Sequence, residues 1–213
     1  MKKIMIIVAV AVALTAAAYY LLFLGPGKDK LKGPGGNVTA ENVKEFNDRI
    51  RDPALMLAYL KDKSIIIEGS EKLTFTGGEA STAKSSAEAG LTEQSVFTLG
   101  KILGVQSMGA DYDIIVEIFA DFGGSGTFNS VAVFSTSIND EYKNNIPPTG
   151  RSYKVIGDRV IIDSVVTENM SGRDYDLTVR YYERKTGDPM TSAPTEKRTK
   201  TFRVSRSVLS EAS

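Results

Sequence analysis

Along this chain the longest apolar stretch comes first. From Ile4 to Gly25 there are 22 residues without a charge. At about 1.5 Å of rise per residue they make roughly 33 Å of helix, enough to cross a hydrocarbon core of about 30 Å. Residues 1–25 are therefore expected to form a single transmembrane signal-anchor. Ala16 and Ala18 offer the small residues a signal peptidase needs, so secretion after cleavage near Ala18 is the alternative. Cleavage would expose Tyr19 to Leu24 to water, which favours the retained anchor. A very short N-terminal flank usually stays in the cytoplasm, so the domain is expected to be extracytoplasmic, periplasmic or at the cell surface. Lys2 and Lys3 face Lys28, Lys30 and Lys32 across the span, and this near-tie makes a cytoplasm-facing domain the runner-up.

The stretch "GPGKDKLKGPGG", Gly25 to Gly36, breaks helix with repeated Gly and Pro, and residues 26–37 are expected to form a flexible linker. Residues 38–62 are expected to be a short helical segment packed on a sheet. Thr39 precedes Val43, Phe46 and Ile50 at helical spacing, and Asp52-Pro53 reads as an N-cap followed by Pro at the first helical position, before "ALMLAYL". From Ser64 the period changes to short β-rich runs, among them "SIIIE", "KLTFT", "SVFTL", "DIIVEIFA", "NSVAVFST" and "DLTVRYYER", with Gly- and Asn-containing turns between them. The fold class is thus mainly β. Residues 63–206 are expected to form an antiparallel meander closing into a barrel or packing as a sandwich, with 207–213 as a tail. The small, polar stretch Gly77 to Gln94 is read as a mobile loop.

Composition adds eliminations. The chain has no Cys and no His, which removes disulfides, Cys/His zinc sites, thiol nucleophiles and imidazole bases. Net charge is zero, so no nucleic-acid partner is expected. Charge is uneven, however: residues 38–149 carry 9 basic and 16 acidic side chains, and residues 150–206 carry 12 and 8. On "LTVRYYERK" the residues Arg180, Tyr182 and Arg184 alternate onto one face, and "KRTKTFRVSR" contributes Lys200 or Arg203. These four cations, Arg180, Arg184, Lys200 and Arg203, are the candidate face for an anionic partner; alternating cations also protect sheet edges from aggregation.

Catalytic constellations are weaker. Ser81-Thr82-Ala83-Lys84, Ser137-Ile138-Asn139 and Lys185-Thr186-Gly187 read S-x-x-K, S-x-N and K-T-G. In that order they resemble the signature of serine β-lactamases and penicillin-binding proteins. The resemblance implies Ser81 as the acylated nucleophile, Lys84 as the group that helps take its proton, and K-T-G lining the substrate. That family seats its nucleophile at the start of a buried helix, and no apolar periodicity surrounds Ser81. Asp111 with Asp113, and Asp174 with Asp176, are paired carboxylates at strand entrances, where Asp commonly caps turns. Gly123 to Gly126 lacks the Lys-Ser/Thr of a phosphate loop and reads as a hairpin turn.

No catalytic, cofactor-binding or metal residue is assigned. The expectation is a membrane-anchored cell-envelope protein whose β domain acts without catalysis in binding, scaffolding or assembly, with a protein or an anionic envelope polymer as partner. A lipocalin-like carrier of a small apolar ligand is the alternative, and a serine acyl enzyme using Ser81 and Lys84 the remote one.

Overall fold

A computed structural model describes residues 38–66, 72–86, 91–123, 126–144 and 146–212. The expected anchor 1–25 and linker 26–37 lie outside the described residues. Among those described, no helix is long and apolar enough to cross a membrane.

Among the described residues two helices come first, α1 (Ala40–Arg51) and α2 (Pro53–Leu60). Their starts follow the local chemistry. The Thr39 hydroxyl accepts from Asn42 N while the Asn42 side chain accepts from Thr39 N, and Asp52 accepts from Ala54 N and Leu55 N ahead of Pro53. Each such cap stabilises its helix by about 1 kcal/mol. The described residues then form eleven strands: β1 (Ser64–Ile66), β2 (Lys72–Thr74), β3 (Glu79–Ser86), β4 (Leu91–Met108), β5 (Asp111–Asp121), β6 (Thr127–Ser137), β7 (Thr149–Asp158), β8 (Ile161–Ser171), β9 (Asp174–Glu183), β10 (Glu196–Ser205) and β11 (Val208–Glu211). A π-helical turn, Asn139–Lys143, links β6 to β7.

The protein is mainly β, with one curled, nearly closed barrel-like sheet ordered β2-β1-β7-β6-β5-β4-β3 and a second sheet ordered β11-β10-β9-β8. The expected meander describes β3 to β7 and β8 to β11. It does not describe β1, which runs parallel to β7 through Ser64 to Thr149 and Ile65 to Gly150. A parallel return of this kind needs a long connection, and the whole meander supplies it. At Gly150 a Cβ would stand 2.5 Å from Ile65 Cγ1, so only glycine admits this approach of β1.

Two further expectations are corrected. The stretch read as a mobile loop, Gly77 to Gln94, contains β3 and the start of β4, paired from Glu79 with Thr98 to Ser86 with Leu91. The segment 207–213, read as a tail, contains β11, paired to β10 and holding the buried Leu209.

Packing explains why β5 and β6 read as unbroken apolar runs. Ile114, Val116, Ile118 and Ala120 of β5, with Ala132 and Phe134 of β6, face the interior of the curled sheet, which Met56, Leu60, Phe75 and Phe97 also fill. Ile115, Val131 and Val133 point the other way and pack on Tyr175, Leu177, Val179, Phe202 and Val204 of the second sheet. Strands buried on both faces lose the period-2 alternation. Strand β9, covered on one face only, keeps it: Tyr175, Leu177 and Val179 are buried, while Asp174, Asp176, Thr178 and Arg180 point outward.

Candidate functional site

The four expected cations do not form one face. Arg180 lies opposite Thr199, and Arg203 opposite Asp176, both on the outer side of the second sheet. Lys200 lies opposite Val179, which is buried, so it belongs to the inner side and pairs with Glu211 at 3.3 Å. Arg184 follows the end of β9 and pairs with Asp158 at 3.7 Å. Arg203 is held by Asp176 at 2.9 Å and Asp174 at 3.9 Å. Asn169 and Arg203 both donate to Asp176, and these bonds hold its carboxyl below the usual range. Of the four, only Arg180 has no carboxylate within ion-pair distance among the described residues.

The serine motif is not assembled. Ser81 sits on β3, in line across the ladder with Val96, Asp121 and Thr127. Ser137 ends the same strand that Thr127 begins, so at about 3.3 Å per residue it stands roughly 30 Å along β6. Its side chain is buried and its Oγ accepts from Asp140 N. Lys185 to Gly187 lies in the exposed connection between β9 and β10, in the other sheet.

The two D-Y-D stretches meet instead as an inter-sheet clasp. Tyr175, the centre of the second, donates its hydroxyl to Asp113 of the first at 3.1 Å, and Ser207 Oγ donates to the same carboxylate at 2.6 Å. Arg173 pairs with Asp111. Ser207 belongs to a β10–β11 turn with positive φ at Arg206 (49°) and Ser207 (69°), so Asp113 anchors a backbone conformation that L residues otherwise avoid. Burial pushes the Asp113 carboxyl above its usual range, against the pull of Ser207 and Tyr175.

A raised folded-state value means that the group's contribution to stability is complete below the unfolded carboxyl value of about 3.9. It is lost as pH rises through the folded value. Asp113→Asn, which cannot ionise, is expected to gain on the wild type as pH goes from about 4 to 7. Urea midpoints at both ends of that range check this, and a constant or closing gap would remove burial as the ruling influence.

A second buried polar cluster ties the helices to the sheet. Glu141, on the π-helical turn, accepts from Arg49 of α1, from Tyr59 of α2 at 3.0 Å and from Thr136 of β6. The Arg49 guanidinium lies 3.7 Å from the centroid of the Tyr59 ring. Both members of the ion pair are buried, with side chains 9% and 4% exposed. Burial first, and the Glu141 charge second, raise the Tyr59 phenol well above its ordinary value, so it stays a donor. Sequence reading had no sign of this cluster beyond an Arg beside the apolar stripe of α1, since its two charges are 92 residues apart.

These features define a mainly β domain whose buried polar groups join one structural element to another. The chain matches no protein-family model, and no curated protein or solved structure is significantly similar to it.

Proposed function

We propose that this chain is a membrane-tethered cell-envelope protein whose β domain binds, scaffolds or assembles and does not catalyse. The observation that carries this reading is where the reactive groups sit. Asp113, Glu141 and Tyr59 each complete a contact between separate elements, as Asp111 and Asp176 do nearer the surface. The tether rests on the apolar run Ile4 to Gly25. Against a carrier of a small apolar ligand counts the interior of the curled sheet, occupied by Met56, Leu60, Phe75, Phe97 and Phe134. A carrier needs that space open.

Fractionation of expressing cells, combined with the mature N-terminus, tests the tether. The expected result is membrane-associated protein retaining Ile4 to Gly25. Soluble protein beginning at Tyr19 would overturn it.

A further inference from the structure

The outer face of the second sheet has one place where cations are not answered by acids. Arg180 and Lys197 have no carboxylate within ion-pair distance among the described residues, although Arg203 and Arg198 on the same strands do. The β9–β10 ladder sets Arg180 opposite Thr199 and Tyr182 opposite Lys197. Because Arg180 and Tyr182 are two residues apart, all four side chains share a face. The two cations stand on a diagonal of about 7–8 Å, within joint reach of one anionic group. The Lys197 ammonium also lies 5.6 Å from the centroid of the Tyr182 ring.

On β8 a bulge between Ile162 and Ser164 leaves Asp163 at the rim of the same depression. Asp163, Arg180, Tyr182, Lys197 and Thr199 line an open hollow of about 260 Å³, together with Tyr181 and with Arg198, whose charge is already met by Glu183 and Glu196. That is below the roughly 300–1,000 Å³ of enclosed small-molecule sites. It suits one residue of a polymer laid across the strands.

The mixture of groups selects a ligand class. A bare phosphate or sulfate would satisfy the cations and Thr199 but be repelled by Asp163. A neutral sugar would use Tyr182 and Asp163 and leave both cations unmatched. A sugar bearing a carboxylate uses all five of the unpaired or outward-facing groups: the carboxylate meets Arg180 and Lys197, the Thr199 hydroxyl donates to it, ring hydroxyls donate to Asp163, and the apolar ring face covers Tyr182. We infer that this hollow is a subsite for an acidic sugar residue of an envelope polymer. The inference rests on the reading of the chain as a binding protein and names the partner's chemistry.

The test titrates the full-length chain, in a sugar-free nonionic detergent, with tri-galacturonic acid, and with galactotriose and inorganic phosphate for comparison. Binding is expected for the acidic trisaccharide and to be at least about tenfold weaker for the neutral one. Arg180→Gln and Lys197→Gln should each weaken the acidic sugar about tenfold, the scale of one lost bond to a charged group. Asp163→Ala decides between sugar and simple anion. It should weaken tri-galacturonic acid while tightening phosphate, since it removes a hydroxyl acceptor and a repelling charge together. Tightening of both ligands, no binding by the wild type, or an equal loss on Arg203→Gln would each overturn the proposal. Membrane fractionation is independent of all three, so the subsite can fail while the tethered reading stands.

Discussion

Glu141→Ala is expected to destabilise the domain by about 3–5 kcal/mol, the usual penalty for leaving a buried charge without its partner. Glu141 receives Arg49, Tyr59 and Thr136, and its removal takes that acceptor from all three, leaving Arg49, among the carboxylates of the described residues, only the exposed Glu45 at 3.7 Å. The Arg49 guanidinium has little recourse to water, being 9% exposed with its Nε already buried and without an acceptor. The double variant Arg49→Met with Glu141→Leu should recover most of the loss, because well-packed apolar replacements of a buried ion pair are often neutral or better. Chemical unfolding of the three proteins measures both effects. A single-variant loss below about 1 kcal/mol, or a double variant no better than the single, would mean that the pair is hydrated in solution. If the cluster holds the helices to the sheet, the loss should also appear first as faster amide exchange in α1 and α2.

Phe134→Ala is expected to cost about 3–5 kcal/mol as well, through lost transfer free energy and the cavity left behind. Phe134 is fully buried on β6 and points into the curled sheet among Leu60, Phe75 and Phe97. Here the magnitude bears on function. An interior built to admit a ligand already has room beside its lining residues, and truncating one of them costs little. A loss near the upper figure identifies the interior as core. A loss under about 1 kcal/mol would revive the carrier, and with it the expectation that small apolar molecules enter the wild-type protein.

Much of the fold was readable from the residues, for reasons particular to each segment. The helix starts were plain because Thr39 and Asp52-Pro53 place cap chemistry directly before periodic apolar residues. Strands β5 and β6 were plain because two-sided burial demands long apolar runs. Strand β3 was missed because "EASTAKSS" has almost no apolar alternation; its place depends on backbone pairing to β4, which side-chain patterns do not record. Strand β11 was missed because four residues with one buried side chain, Leu209, carry too little pattern.

The candidate site was half legible. Period-2 alternation places Arg180 and Tyr182 on one face of β9, while Arg184 falls past the strand's end, and Lys200 and Arg203 have opposite parity on one strand and could not both belong beside them. Only the register, which sets Thr199 against Arg180, chooses between the two sides and brings Lys197 to Tyr182. The Arg49–Glu141 and Asp113–Tyr175 contacts were out of reach for a different reason. Each joins residues more than sixty positions apart, and nothing local marks them.

The parallel pairing of β1 with β7 has a mechanical side. It rests on two residue pairs, Ser64 with Thr149 and Ile65 with Gly150, whereas β6 and β7 run together from Phe128 to Ser135. α1, α2, β1 and β2 are joined to β3 to β7 there, by Arg49 and Tyr59 on Glu141, by Phe46 against Tyr112, by Gly78 N donating to Lys61 O, and by the buried Met56, Leu60, Ile65 and Leu73. A load entering through the N-terminal end therefore meets a short zipper before it meets a long one. That zipper does not open alone: Met56, Leu60 and Ile65 are fully buried in the core shared with β5 and β6, so drawing the helical unit away would expose the interior that β3 to β7 enclose.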